Sequence, residues 1–455
     1  MNFIGLRATI IGLAREGTAL ARFLAQRGAI VTVSDLKSPE ELAENMEAIR
    51  LSAPPSAVHF VLGGHPSEIL DDADVLFVSP GVCPEAPILV EARRRGLPLS
   101  SATMLFFQLC PAPIIGVTGS SGKTTTTTLV GEMLKASGFT TWVGGNIGQP
   151  LIEQVEDIRP EDKVVMELSS FQLENMAQSP HIAAVLNLTP DHLDRHPSFE
   201  AYRAAKLPIL RYQGRDDLAV LGYDDQATRA LADEGRGRVL FFSQTTEPEG
   251  GAFVRDGEIL VRFEGREDRV CTTDQVKLRG RHNLDNVLAA CAIARAAGAD
   301  AQAMAAIATS FAGLEHRLEL VREIEAVRYY NDSIATSPRR AMAALESFQE
   351  PIVLLAGGRY KNLPLEGLAD LIRQKVRHLI LFGEAAPILE VAVKKGKEPR
   401  PTIHRCPTLE EAVGTAARVA RPGDVVLLSP ACTSFDAFRD FAERGARFKE
   451  LVRGL

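Results

Sequence analysis

GVTGSSGKTT, residues Gly116 to Thr125, is the stretch on which the reading of this chain turns. It follows the apolar pair Ile114 and Ile115 and runs into Leu129, Val130, Met133 and Leu134 at helical spacing. Strand, glycine turn and helix in this order make a phosphate cradle. The glycines let backbone N–H groups turn toward an anion, and the helix N-terminus adds its partial positive charge. Lys123 can reach the β- and γ-phosphates, and the Thr124 hydroxyl can ligate Mg²⁺. Gly119, Ser120, Ser121, Gly122 and Thr125 complete the loop. Commoner nucleotide loops carry a glycine where Val117 stands, so the pattern here is the shorter Gly-x-x-Gly-Lys-Thr. A glycine turn after a strand can be structural alone, but a Lys-Thr pair at its end favours nucleotide phosphate.

The chain around this loop has 455 residues, a length that suggests about three domains. Apolar residues make up 45% and charged residues 24%, ordinary for a soluble globular protein. Net charge is −7 with no long basic run, which argues against nucleic acid or an anionic membrane as partner. Cys83, Cys110, Cys271, Cys291, Cys406 and Cys432 are scattered without a Cys-x-x-Cys pair. They fit free thiols in a reducing cytoplasm, not a disulfide framework or structural zinc. No signal-peptide succession opens the sequence, and no apolar run is long enough to span a bilayer. The expected location is cytoplasmic.

Three α/β blocks follow along the chain. The first, 1–102, has strands at Ala8–Ile11, Ile30–Val33 (running on to Asp35) and Val75–Val78, alternating with helices. That alternation implies a parallel sheet whose ligands sit at strand carboxyl ends, where Gly12, Asp35 and Ser79 fall. The second, 103–312, holds the phosphate loop and strands at Val164–Met166, Ala183–Leu188, Leu218–Leu221 and Val239–Phe242. Phe253 to Phe263, centred on Asp256-Gly257, reads as a β-hairpin, and Ala289–Ala297 as a close-packing helix. The third, 313–455, places strands at Ile352–Leu355, Leu379–Phe382 and Val425–Leu428 in a second open sheet. The expected architecture is a Rossmann-like N-terminal domain, a central P-loop ATPase-type domain and a Rossmann-like C-terminal domain.

Several residues could carry chemistry. Glu167 ends a strand in ELSSFQLE and is placed to hold Mg²⁺ or to be a surface carboxylate; its apolar neighbours favour burial with a partner. In NLTPDHLDRH, Asp191, His192, Asp194 and His196 could bind a metal or form a polar loop. Lys206, in YRAAK, reads from its pattern as a solvated helix lysine. The first block resembles a dinucleotide turn, but Ala14 replaces the glycine that lets a pyrophosphate approach. A strand–helix turn without a ligand fits those residues equally well. NDSIATSP (331–338), GGRYKN (357–362) and SPACTSFDAF (429–438) each follow a strand and together favour a small polar ligand.

The ordered set GVTGSSGKTT, GGNIG (144–148), ELSSFQLE, TPDHLDRH, YRAAK, HNLDN (282–286), EHRLE (315–319) and NDSIATSP resembles the Mur ligase family of peptidoglycan synthesis, over nearly the whole chain. NDSIATSP and SPACTSFDAFRDFAERG resemble its D-glutamate-adding members. The resemblance implies that ATP phosphorylates the carboxylate of UDP-N-acetylmuramoyl-L-alanine and that D-glutamate attacks the acyl phosphate. It implies catalytic roles for Lys123, His192 and Lys206. It assigns Mg²⁺ to Thr124, Glu167, His192 and a carbamoylated Lys206. Asn286, Arg317 and Asp332 join the loop around ATP. Asp35, Ser79, Gly81 and Asn146 serve the UDP-substrate. Thr336, Lys361, Ser434 and Phe435 serve D-glutamate. No obligate protein partner is implied.

Two positions depart from the family pattern. Ile334 stands where many members have a lysine, with Arg359 or Arg340 as substitutes. Leu36 stands where a polar residue often helps hold uracil. Folylpolyglutamate synthase shares the ATPase block but normally lacks a domain before the loop. A nicotinamide dehydrogenase and a non-catalytic nucleotide binder are the other readings. Lys123, Glu167, His192 and Lys206 speak against the last.

Overall fold

A computed structural model describes residues 2–54, 56–191, 195–395 and 401–455. The chain divides into two compact units, one of Met1–Gln275 with Asp285–Thr309, the other of Val276–Leu284 with Ser310–Leu455.

The first unit contains two sheets. In one, the strands lie in the order Val58–Leu62, Ile30–Asp35, Arg7–Ile11, Val75–Val78 and Leu99–Ser100, all parallel. The strand order reverses between Arg7–Ile11 and Val75–Val78, and ligand crevices open at such switch points. Gly12 and Ser79, the residues that follow those two strands, meet there: Ser79 Oγ donates to Gly12 O at 3.1 Å.

The second sheet of this unit carries the phosphate loop. Parallel strands run in the order Gly251–Arg255, Arg238–Ser243, Leu218–Gly222, Ile182–Val185, Ile114–Thr118, Lys163–Glu167 and Thr141–Gly145. Ile114–Thr118 is central and buried along its whole length, as expected of a continuous apolar run covered on both faces. Antiparallel strands Glu258–Phe263 and Arg266–Thr272 extend the far edge. The hairpin forms where the sequence predicts it. Asp256 and Gly257 both have positive φ, 50° and 78°, as a two-residue type I′ turn requires.

Helix Lys123–Ala136 runs through five threonines directly after Lys123, a composition of low helical propensity. Burial of Thr125, Thr126 and Thr127 with Leu129, Val130, Met133 and Leu134 overrides it. The strand expected to reach Leu188 ends at Val185. Beyond it Asn187 turns to bind the phosphate loop instead, its carbonyl accepting from Ser120 N at 2.9 Å.

In the second unit the strand order is Glu319–Ile324, Val327–Asn331, Val425–Ala431, Ile352–Gly357, Val376–Phe382 and Thr402–Arg405. Only the first pair is antiparallel. The sheet is sandwiched between two apolar layers, one around Leu345, Phe348, Leu354 and Leu381, the other around Val353, Ile380, Leu428 and Phe448.

Candidate functional site

The phosphate loop rises from the central strand into its helix through two glycines of positive φ, Gly119 at 154° and Gly122 at 83°. Gly122 is the helix N-cap in a left-handed conformation, and a Cβ there would collide with Asn286 Oδ1. Asn286 thus lies against the loop, within reach of Thr126 Oγ1 at 3.5 Å. The NLTP segment grips the other side. Ser121 N donates to Asn187 Oδ1 at 2.9 Å, and Ser120 Oγ donates to Thr189 O at 2.8 Å. Lys123 Nζ donates to Gly119 O at 2.9 Å, so the ammonium sits within the loop it is predicted to serve.

Thr124 and Glu167 come together at the next strand end. Thr124 Oγ1 donates to Glu167 Oε2 at 2.7 Å, while Asn146 Nδ2 donates to Oε1 at 2.8 Å. Glu167 is 2% exposed, which removes the surface-carboxylate alternative. Gly145 makes this approach possible: a Cβ there would collide with Glu167 O. The hard oxygen set of hydroxyl and carboxylate beside a phosphate loop fits Mg²⁺, which is usually held by one or two carboxylates plus substrate phosphates. Among the described residues no group of three His, Cys, Asp or Glu side chains gathers as a metal cluster, and such a cage is not needed for this ion. His192 and Asp194 lie outside the described residues.

Lys206 departs from its expectation as a solvated lysine. It is 2% exposed, and its Nζ donates to Thr118 Oγ1 at 3.1 Å and Gly119 O at 3.3 Å. Burial, then the nearby Lys123 charge, hold its pKa well below the usual lysine value. Helix Phe199–Lys206 turns it inward because the same face buries Tyr202, whose hydroxyl lies 3.1 Å from Ser120 Oγ. The helical spacing of Tyr202 and Lys206 was the available signal.

The residues expected to serve the UDP-substrate all lie in this unit. Asp35 ends its strand and accepts from Leu13 N at 2.7 Å and Lys37 N at 3.0 Å, fixing the glycine turn, with Leu36 exposed beside it. Gly12 is needed there, since a Cβ would sit 2.9 Å from Ser79 Oγ. Two arginines that sequence reasoning passed over join this turn to the central loops. Arg15 Nη1 donates to Gly148 O of the GGNIG segment at 2.8 Å. Arg195 Nη1 and Nη2 donate to Gly81 O at 3.0 Å and Val82 O at 3.2 Å. Arg195 stood inside the quoted NLTPDHLDRH and Arg15 directly after Ala14, yet nothing in their spacing pointed at a carbonyl.

In the second unit Asp332 accepts from Ser429 Oγ at 2.8 Å and Leu318 N at 3.3 Å. Burial pushes its carboxyl up to about 7 against the opposing charges of Arg317 and Arg340. Thr336 is half-buried, Ser434 buried and Lys361 exposed. Phe435 is 60% exposed. Of the two substitutes considered for the missing lysine, Arg359 is paired with Glu384 at 3.0 Å, whereas Arg340 Nη1 donates to Ile334 O at 3.3 Å. Of the two, Arg340 is the one that contacts Ile334.

Comparison with known proteins bears on this geometry. Three family profiles match in succession: the "Mur ligase MurD-like, N-terminal domain" over residues 6–101, the "Mur ligase middle domain" over 117–294 and the "Mur ligase, glutamate ligase domain" over 316–432. The chain belongs to the Mur ligase family. The UDP-N-acetylmuramoylalanine–D-glutamate ligase of Symbiobacterium thermophilum is 49% identical over 99% of this chain and 98% of its own length. The protein of the same name from Acetivibrio thermocellus is 42% identical over 99% of this chain and 96% of its own. Among solved structures, the UDP-N-acetylmuramate–alanine ligase MurC of Thermotoga maritima superposes with a TM-score of 0.60 at 21% identity, covering 99% of both chains. At that identity the likeness speaks for the shared three-domain fold.

Proposed function

We propose that this chain is an ATP-dependent ligase that joins D-glutamate to UDP-N-acetylmuramoyl-L-alanine, forming an amide with release of ADP and phosphate. The observation that carries the reading is full-length identity of 42–49% to relatives bearing that name. The Lys123–Thr124–Glu167 arrangement supports the ATP half.

The chemistry requires two anions to meet. A substrate carboxylate oxygen forms a bond to the γ-phosphorus while the bond to the ADP oxygen breaks. The acyl phosphate then accepts the amine nitrogen at its carbonyl carbon. The C–N bond forms and the C–O bond to phosphate breaks. The ammonium of D-glutamate has given one proton to solvent beforehand, and the attacking nitrogen gives up a second, to the departing phosphate or solvent, as the tetrahedral intermediate collapses to the amide. Lys123 neutralises phosphate charge beside the loop formed by Gly119, Ser120, Ser121, Gly122 and Thr125, with Asn286, Arg317 and Asp332 as further ATP residues. Thr124, Glu167 and His192 would hold Mg²⁺, which when bound screens the phosphates and polarises their oxygens. Asp35, Ser79, Gly81 and Asn146 are assigned to the UDP-substrate. Thr336, Lys361, Ser434 and Phe435 are assigned to D-glutamate, within domains spanning 1–102, 103–312 and 313–455.

Carbamoylation of Lys206 belongs to the same proposal. CO₂ reacts with a free amine, not an ammonium, and burial of Lys206 favours the free amine. The product is an anion with oxygen donors, suited to a site for a divalent cation. We assign the reaction to the cytoplasm, supported by six free cysteines, and among the described residues no helix is long and apolar enough to cross a membrane.

Phosphate release with ATP, the UDP-substrate and a panel of amino acids tests the reading. Turnover is expected with D-glutamate and not with L-glutamate, lysine or diaminopimelate. Equal turnover with L-glutamate overturns the acceptor assignment. Lys361→Ala should raise the KM for D-glutamate by roughly tenfold to a hundredfold, the loss of one charge-assisted hydrogen bond, and leave that for the UDP-substrate nearly unchanged.

A further inference from the structure

Arg444 has no part in the assignments above, yet among the described residues it is the largest fully buried side chain, with 0% exposure. It sits in the first turn of helix Phe441–Arg453, in the DFAERG part of the third-block motif. Its guanidinium reaches three loops of the second unit. Nε donates to Ser333 Oγ and Nη2 to Ser333 O, both at 2.9 Å, in NDSIATSP. Nη1 and Nη2 each donate to Cys432 O at 3.2 Å, and Nη1 to Thr433 O at 3.2 Å, in SPACTSFDAF. Nη1 also lies 3.5 Å from Gly357 O, at the start of GGRYKN.

Close approach to this side chain shapes the loops. Gly358 has φ of +121°, and a Cβ on it would sit 3.0 Å from Arg444 Nη1 and collide with Thr433 O. A two-way bridge, Arg359 N to Thr433 O at 2.9 Å and Thr433 N to Arg359 O at 3.0 Å, stitches the second and third loops above the guanidinium. The following Gly445 lets the helix pack, since a Cβ there would collide with His316.

Among the described residues no carboxylate is a hydrogen-bond partner of Arg444; carbonyls and one hydroxyl accept from it. Asp436 offsets part of the cost electrostatically, but a charge without a direct ion pair remains costly to bury. Burial lowers its pKa to about 10, so it remains a cation at neutral pH. The residues assigned to D-glutamate stand a few positions along the same loops: Ser434 directly after Thr433, Thr336 three after Ser333 and Lys361 four after Gly357.

We propose that Arg444 is a positioning residue for the acceptor amino acid, fastening the three loops in one register and placing a buried positive charge beneath a pocket for a dicarboxylate. The inference rests on the D-glutamate reading of that pocket. A lysine cannot substitute, because its ammonium is a point donor without the planar fork that reaches three loops at once.

The test is steady-state kinetics of Arg444→Lys and Ser333→Ala in the full chain, with each of the three substrates varied and melting curves run alongside. In Arg444→Lys the KM for D-glutamate is expected to rise roughly tenfold to a hundredfold, since small misplacements of positioning groups cost that much. The KM values for ATP and the UDP-substrate should stay within about threefold, well below one positioned hydrogen bond. Ser333→Ala removes one neutral bond and should raise the D-glutamate KM roughly three- to tenfold, again selectively. If Arg444→Lys does not fold, Ser333→Ala decides alone. An unchanged D-glutamate KM, or an equal rise for all three substrates, overturns the proposal. So does loss of folding in both variants, which would make Arg444 purely structural. The wild type separates this from the parent reading. A wild type that does not use D-glutamate overturns the acceptor assignment and this inference with it, whereas a wild type that does, beside variants with unaltered KM, overturns the inference alone.

Discussion

A lysine at 2% exposure, with Lys123 close by, is held against its own charge. Its folded pKa lies below the unfolded value near 10.5, so the unfolded chain binds more protons in that interval. Stability therefore rises with pH between the two values, and at neutral pH Lys206 costs stability. Lys206→Met should melt no lower than the wild type at neutral pH while losing roughly a hundredfold or more in activity, the scale of a lost metal-supporting group. A carbamate carbon signal from labelled bicarbonate should be present in the wild type and absent in the variant. Melting well below the wild type would mean that the lysine is held for packing. Glu167 shows the complementary case, a buried carboxylate with hydroxyl and amide donors at 2.7 and 2.8 Å. Glu167→Gln keeps the shape and removes the charge. It should raise the Mg²⁺ concentration for half-maximal activity roughly tenfold or more. Asp332 adds a pH signature. Its carboxyl titrates near 7 folded against 3.8 unfolded, so the folded state holds the proton more tightly. Its contribution to stability is full below the unfolded value and lost as pH rises through about 7. Asp332→Asn should gain in melting temperature relative to the wild type between about pH 5 and about pH 8. A constant difference across that range would show that Asp332 is not buried as a neutral acid.

At the scale of elements, the strand–loop–helix unit was legible because three signals agreed: an apolar strand, glycines at the turn and helical spacing after it. The loop depends on Gly122 adopting φ of 83° against Asn286. Gly122→Ala should destabilise the protein by about 1–2 kcal/mol, the left-handed penalty for a side chain, and more if Asn286 cannot yield. A urea melt reads the stability, and the KM for ATP should rise with it. An unaltered melt would mean the loop relaxes without cost. Edge strands were less legible. Glu319–Ile324 mixes charged and apolar residues without a period of two and buries none of them fully, so it carries no strand signal until its partner Val327–Asn331 is known. The inward turn of Lys206 was hidden for a related reason. A helix pattern gives the face a residue occupies, and what that face meets is decided by a strand and loop 88 and 87 residues earlier, at Thr118 and Gly119. Arg444 was illegible on the same ground. Its partners Ser333 and Gly357 are far away in sequence and offer mainly backbone carbonyls, which leave no mark in side-chain identity.

At the scale of the whole molecule, the order of motifs carried more than any one motif. The phosphate loop alone is compatible with many nucleotide enzymes, and the N-terminal turn alone suggested NAD as readily as no ligand. Taken together they matched three successive Mur ligase profiles, with a doubly wound sheet before the loop and a second open sheet after it. In the proposed reaction the loop and Glu167 serve activation of a substrate carboxylate, which D-glutamate then captures. The most direct measurement uses UDP-N-acetylmuramoyl-L-alanine labelled with ¹⁸O in its terminal carboxylate. After turnover with ATP and D-glutamate, released phosphate should carry one labelled oxygen for each amide formed. Phosphate without label, or labelled phosphate formed equally well with L-glutamate in place of D-glutamate, would contradict it.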